Sequence, residues 1–352
     1  MKIITNKFGS GKLYGEEDLL TYGTIYCRCC ACMSVYADFL TWANNYKRKW
    51  EPKNIVLSPE LANQLIVLSC QVTDIAVLND IRNIEALHLL YPEKDIFVGG
   101  CLAYRFDIHL PEYVKRLVTL RSVGTEILDK KYVDFAKPFW IRELSNNKFD
   151  EGMLFRDMYP LQIGAGCNKN CEYCTIKNTR GESFEIDISQ KNVHGQTPED
   201  IFLKHENVVL IADSPTVKQI KDWCHISVKY GKPLSLRNVE PDVVMSCYYD
   251  IYAMAKMGLL PILHSPIQSM QSIVLKTMKR PVQPTLDFIS KVPELQKLEV
   301  FVATNIIIDY DEIPSELEKC EKIFNYVSWN PYWDGKWNRE KAEERYAKYI
   351  NI

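Results

Sequence analysis

The sequence has no stretch approaching the ~20 consecutive apolar residues needed to span a bilayer, so none of it reads as a membrane helix. Its opening residues, MKIITNKFGSGKLYGEED, lack the apolar centre of a secretory signal. An excess of one charge is missing too. The 43 Lys and Arg nearly balance 45 Asp and Glu, for a formal net charge of −2. That balance gives no general pull toward nucleic acid or an anionic membrane, although a local basic patch stays open. No internal repeat and no low-complexity tract is present. These absences lead to the expectation of a cytoplasmic globular protein with no membrane contact. At 352 residues, 47% hydrophobic and 25% charged, it is long enough for about two domains with buried cores.

Cysteine, by contrast, is plentiful. Twelve in a cytoplasmic chain of this size point to metal or redox chemistry before disulfides. They are also uneven. Cys27, Cys29, Cys30 and Cys32 crowd together, as do Cys167, Cys171 and Cys174, while Cys70, Cys101, Cys224, Cys247 and Cys320 stand alone.

Short apolar runs alternate with helical periodicity along the first half. Strands are expected at Gly23–Tyr26, Leu65–Ser69 and Asp95–Gly100, with helices at Val35–Lys47 and Ile75–Leu90. Such alternation predicts βαβ units and an open parallel sheet. Cys32, Cys70 and Cys101 follow the three strands, and the carboxyl ends of parallel strands are where open α/β sheets place ligands. Lys137, Pro138 and the polar run from Ser145 mark a boundary within about residues 140–155. The second half restarts with strands expected at Tyr159–Ile163, Asn207–Ala212, Pro233–Arg237, Leu260–His264 and Val300–Ile308. Helical patterns at Ser214–Tyr230, Asp242–Met257 and Met270–Met278 lie between them, and Asn338–Ile350 reads as a charged amphipathic helix. Repeated units of this kind predict a complete or partial β/α barrel with its site at the strands' C-terminal ends.

Cys167, Cys171 and Cys174 form a CxxxCxxC loop after the first of those strands. Thiolates are soft ligands suited to iron–sulfur clusters, which normally take four. Three in one loop can hold three corners of a 4Fe–4S cubane and leave one iron open for S-adenosylmethionine (SAM). A structural zinc site and an unrelated cysteine group remain alternatives. Zinc would call for a fourth ligand, and the nearest histidine in sequence is His194.

The segment Ile163-Gly-Ala-Gly-Cys-Asn-Lys-Asn-Cys-Glu-Tyr-Cys, continuing to Arg180, Gly181 and Ser183, resembles the signature of the radical SAM methylthiotransferases. Leu263-His-Ser-Pro-Ile-Gln-Ser, running on to Lys279 and Arg280, is similar to that family's HLPLQSG stretch. Ser235-Leu-Arg-Asn-Val-Glu-Pro resembles its RxSSxxP region, Leu68-Ser-Cys70-Gln-Val-Thr its NTCxVT, and Val98-Gly-Gly-Cys101 its VxGC. Cys32 to Asp38 fits a CxxNxxD pattern with Val35 in place of Asn, which favours Cys32 over Cys30 as the first cysteine. The resemblance covers roughly residues 20–335.

It implies two 4Fe–4S clusters, one on Cys167, Cys171 and Cys174 and an auxiliary one on Cys32, Cys70 and Cys101, with SAM as cosubstrate. Tyr173, Asp213, Arg237 and Gln268 become candidate contacts to SAM or substrate, Arg237 having Glu240 as an alternative partner. The implied reaction inserts sulfur or methylthio at an unactivated C–H, using a 5′-deoxyadenosyl radical and an external electron donor such as flavodoxin or ferredoxin. The expected domains are an extension at 1–20, a methylthiotransferase-like α/β domain at 21–145, a radical SAM partial β/α barrel at 146–325, and a short segment with a helix at 326–352.

Two departures matter, the first for contacts to SAM and the second for substrate. The family's GFPGET loop reads Ile308-Asp-Tyr-Asp-Glu-Ile-Pro, and its LTGQ segment reads Leu210-Ile-Ala-Asp213. The family's C-terminal TRAM barrel is not expected here, so a peptide is the expected substrate. A tRNA held with a partner's help is the second expectation, and a noncatalytic iron–sulfur redox or sensing protein is the third. Trp329, Tyr332, Trp333 and Trp337 offer either a peptide surface or a hydrophobic lid. The remaining cysteines and His264 carry no assigned role.

Overall fold

Aliphatic runs become strands here where both faces are covered, as in Gln64–Ser69, buried at every position. The structure is a computed structural model and describes residues 2–15, 18–19, 23–29, 32–39, 55–118, 134–135, 154–155, 158–192, 194–310 and 316–350. The chain divides into two units. One comprises Met1–Lys148, Asn178–Gly181 and Gly335–Ile352; the other comprises Phe149–Lys177 and Glu182–Asp334.

The first unit opens with an antiparallel hairpin, β1 (Lys2–Asn6) and β2 (Gly9–Leu13), which the sequence pattern did not suggest. Its sheet is parallel and contains β3 (Ile25–Cys29), β4 (Ile55–Val56), β5 (Gln64–Ser69), β6 (Asp95–Gly100) and β7 (Val114–Arg116), ordered β4-β3-β5-β6-β7. A short β8 (Asp134–Phe135) also pairs with β3. The three expected strands are present, β3 lying slightly later than its apolar run. Residues 33–39 are helical, and the rest of the helix expected to Lys47 falls outside the described residues. Helix Asp74–Leu90 begins at Thr73, whose Oγ1 accepts from the Ala76 N–H at 3.1 Å. Helix Arg339–Ile350 packs beside it: Arg339 makes a two-pronged contact to Glu85 at 2.7 and 3.0 Å, and Arg345 pairs with Asp74 at 3.3 Å.

The second unit is built on β9 (Tyr159–Gln162), β12 (Val208–Ile211), β13 (Leu234–Leu236), β14 (Ile262–His264), β15 (Phe301–Ile308) and β16 (Tyr326–Pro331), all parallel and in that spatial order. Between β9 and β12, β10 (Gly164–Ala165) and β11 (Phe184–Glu185) form a short antiparallel pair flanking the cysteine loop. Among the described residues no pairing joins β9 to β16, so the sheet is an open, partial β/α barrel. Its helices include Val217–Tyr230, started by the Thr216–Gln219 capping box and ended by Gly231 at φ 60°. The helix expected over Asp242–Met257 is two, Pro241–Ser246 and Tyr248–Lys256, separated at Cys247.

Candidate functional site: two cysteine triads

In the first unit, three adjacent strands each deliver one cysteine to their carboxyl ends. Cys32 lies three residues beyond β3, while Cys70 directly follows β5 and Cys101 directly follows β6. The Cys32 carbonyl accepts the first bond of the helical stretch, from the Tyr36 N–H at 3.1 Å. Gly100, at φ 78°, makes the turn into Cys101. A side chain there would meet the Ser69 carbonyl at 2.5 Å, so the position requires glycine. Ser69 locks the same corner, its hydroxyl donating to the Gly99 carbonyl and accepting from the Leu102 N–H at 3.2 Å. The Cys70 N–H is held by Asp80 at 2.7 Å, and its Sγ accepts from the Val72 N–H at 3.4 Å. Burial pushes the Cys70 thiol well above its ordinary range, and Cys32, Cys101 and Asp80 add to that. Cys32 is exposed, Cys70 half-buried and Cys101 buried, giving a site open on one side.

The crowding at 27–32 is sorted by the strand. Cys27 and Cys29 point into the hydrophobic core beside Ile25, Phe39 and Ile66. Cys30 lies outside the described residues. Asp38 and Arg180 form a buried ion pair at 2.8 Å. Arg105, with no exposed surface, donates to Gln71 at 2.9 Å and to Asp107 at 2.6 and 2.8 Å.

In the second unit, β10 and β11 clamp the base of the CxxxCxxC loop. Gly166 donates to Asp213 Oδ2 at 2.8 Å, so Asp213 ties down the loop's entry. The Lys169 N–H points at Cys167 Sγ at 3.3 Å, and Asn168 Oδ1 accepts from the Ser183 N–H at 3.0 Å. Cys171 to Cys174 is a tight turn closed by a 3.1 Å backbone bond. Burial pushes the Cys174 thiol up to about 12, and Cys171 and Cys167 reinforce it. Tyr173 is half-buried against Val274, Met278 and Tyr310, and burial raises its phenol well above the usual range.

Arg280 is the group that sequence reasoning missed. Its side chain is 1% exposed, with Nη1 3.9 Å from Cys171 Sγ and ion-paired to Glu240, and Nη2 donating to the Pro266 carbonyl at 2.6 Å. Glu240 thus pairs with Arg280, and Lys169 stands 3.8 Å away on its other side. Arg280 ends a stretch that resembled a family motif, but only the fold brings it to the cysteine loop.

Arg237 is buried just past β13. Gln268, at φ 68°, bonds through its backbone to β15 and helps line a shallow cleft with Ser269, Gln271, Val274 and Tyr310. His264 is fully buried. Its Nδ1 accepts from the Asn238 N–H at 3.3 Å, which makes Nε2 the donor to Asn305 Oδ1 at 2.6 Å. Trp333 is buried and Tyr332 packs edge-on to Tyr310, with ring centres 4.5 Å apart, as packing residues do. Cys224, Cys247 and Cys320 are buried, as expected of packed thiols, and residues 311–315 of the altered loop lie outside the described residues.

Three thiols in each set are the soft donor type that iron–sulfur clusters take. Among the described residues no three Cys, His, Asp or Glu side chains converge on a point that one metal ion could fill. A single zinc needs its thiolates at roughly 2.3 Å from one centre. A cluster binds each thiolate at a separate iron, so it does not need three thiolates to meet at one centre. A backbone N–H is aimed at the sulfur of each of Cys70 and Cys167. Among the described residues the buried Nε of Arg280 has no hydrogen-bond partner.

The comparisons give the class: the chain is a homologue of the radical SAM methylthiotransferases. It is 21% identical to the ribosomal protein uS12 methylthiotransferase of Hydrogenobaculum sp., a match covering 85% of this chain and 77% of that protein. It is 24% identical to the tRNA-2-methylthio-N(6)-dimethylallyladenosine synthase of Acinetobacter baylyi over 83% of this chain and 64% of the other. The enzyme of that name from Sulfurimonas denitrificans is also 24% identical, over 92% of this chain and 77% of its own length. No protein-family model matches the chain.

Proposed function

We propose that this protein is a radical SAM methylthiotransferase carrying two 4Fe–4S clusters, on Cys167, Cys171 and Cys174 and on Cys32, Cys70 and Cys101, and that it modifies a protein side chain. The observation that carries the two-cluster reading is the meeting of Cys32, Cys70 and Cys101, distant in sequence, at the ends of three neighbouring strands. With SAM at its open iron, the loop cluster would supply a 5′-deoxyadenosyl radical, and the auxiliary cluster would present sulfur for transfer. The chain's own groups hold and shape these places. Asp213 fixes the loop's entry through the Gly166 N–H, and Tyr173 closes the apolar side between Met278 and Tyr310. His264 and Asn305, locked to each other, keep that end of β14 and β15 rigid. Gln268 and Arg237 stand at the same strand ends and are our candidates for contacts to SAM or substrate. An external reductant such as a flavodoxin or ferredoxin completes the scheme.

A protein substrate is supported by the near-neutral composition, which offers no broad attraction to RNA, and by the ribosomal protein named in the Hydrogenobaculum relative. After anaerobic reconstitution the chain should hold about eight irons, falling to about four when Cys32, Cys70 and Cys101 are replaced together by Ala. About four in both proteins would remove the auxiliary cluster. Mass spectrometry of proteins and tRNA from cells with and without the gene should show a methylthio group lost from a protein. Loss from a tRNA nucleoside instead would replace the protein reading with an RNA one.

A further inference from the structure

Arg280 has the credentials of a functional cation without a role in the scheme above. Its guanidinium is almost wholly buried, which is costly for a charge, and a buried ion pair is weak evidence for stability as such. Its Nη1 faces both Glu240 and Cys171 Sγ, the latter at 3.9 Å. Pro266 anchors Nη2, so the fork cannot swing away without losing a buried hydrogen bond. The backbone reinforces the placement, because Glu172, next to Cys171, donates to the Met278 carbonyl at 3.1 Å. Two other cations stand near the loop in solvent: Lys169, 29% exposed, is engaged by Asp242 at 2.9 Å, and Lys279, 63% exposed, by Glu172 at 2.5 Å, so solvent weakens both fields.

We infer that Arg280 is a positioning residue that raises the reduction potential of the cluster held by Cys167, Cys171 and Cys174, with Glu240 as the counterweight that limits the rise. This rests on the iron–sulfur reading of that loop. Reduction adds one electron, supplied by the external donor, and hence one negative charge to the site. A fixed cation beside a ligating sulfur favours the reduced form, and a fixed anion opposes it. Cluster potentials respond to net charge and to hydrogen bonds at the sulfurs, and both act here through one guanidinium.

The test is a redox titration with dithionite, followed by electron paramagnetic resonance. It uses the full chain with Cys32, Cys70 and Cys101 changed to Ala, so that only the loop cluster responds. In that background Arg280→Gln should keep its iron. At the parent's midpoint its reduced-to-oxidised ratio should fall about tenfold, which is 59 mV for a one-electron couple. Glu240→Gln should move the midpoint upward, and Arg280→Lys should stay nearer the parent than Arg280→Gln. Midpoints unchanged in both Gln variants, or moved in the same direction, would overturn the inference while leaving the cluster in place. A parent that takes up no iron would remove the cluster reading itself. Should Arg280→Gln lose its iron or fail to fold, Glu240→Gln decides alone, a rise supporting the inference and no rise overturning it.

Discussion

At the residue scale, the most exacting charges outside the cysteine loop are Asp38 and Arg180, each about 96% buried and 2.8 Å apart. Removing one partner of such a pair strands the other charge in a low-dielectric interior, which costs roughly 3–5 kcal/mol. Asp38→Ala should lower the unfolding free energy by about that much in urea, whereas Asp38→Ala with Arg180→Met should lose less. Equal losses in the two variants would show that packing, and not charge, dominates there. The same scale limits what a sequence discloses. Cys167, Cys171 and Cys174 announce themselves because their ligand spacing lies within one loop. Arg280 and Glu240 do not, because nothing local distinguishes a buried, sulfur-facing arginine from one on a solvated helix end. Glu240 looked like a partner for Arg237, its neighbour in sequence, yet the fold gives it to Arg280.

At the element scale, helix Val217–Tyr230 shows local and tertiary preferences in agreement. Thr216 Oγ1 accepts from the Gln219 N–H, Gln219 returns a bond to the Thr216 N–H, and Ile220, Trp223 and Cys224 face the core. Thr216→Ala should destabilise by about 1 kcal/mol and Thr216→Gly by only a few tenths, read from denaturant midpoints. A larger loss with Gly would mean that the cap matters through rigidity. Helix Val282–Gln296 was harder to foresee. Its buried Thr285, Phe288, Val292 and Leu295 have helical spacing, but Pro284 and Pro293 break the pattern a reader trusts. Pro284 is tolerated because it falls in the first turn, where backbone donors have no helical acceptor. Strand β16 hid for a different reason. Trp329 was grouped with Tyr332, Trp333 and Trp337 as a peptide surface or a lid, and only the pairing of Tyr326–Pro331 with β15 along six residues makes it part of a strand.

At the scale of the whole molecule, the alternation of apolar runs and helical periods was enough to foresee two parallel α/β units, because buried parallel strands must be apolar on both faces. It was not enough to foresee how the chain is shared between them. The first unit takes in Asn178–Gly181 and Gly335–Ile352, both far along the sequence from its sheet. No compositional signal marks a segment that returns to an earlier unit. The contacts are nonetheless specific: Arg105 donates to the Gly335 carbonyl at 2.5 Å across 230 residues, and Arg339 reaches Glu85 across 254.

That last pairing sets a clock. Chains emerge from ribosomes at about 5–20 residues per second, so Glu85 waits roughly 10–50 s for Arg339 to be made. During that interval helix Asp74–Leu90 lacks the helix that will cover one side of it. The nascent protein must carry its unfinished first unit, thiols included, through the synthesis of the 254 residues from Glu85 to Arg339.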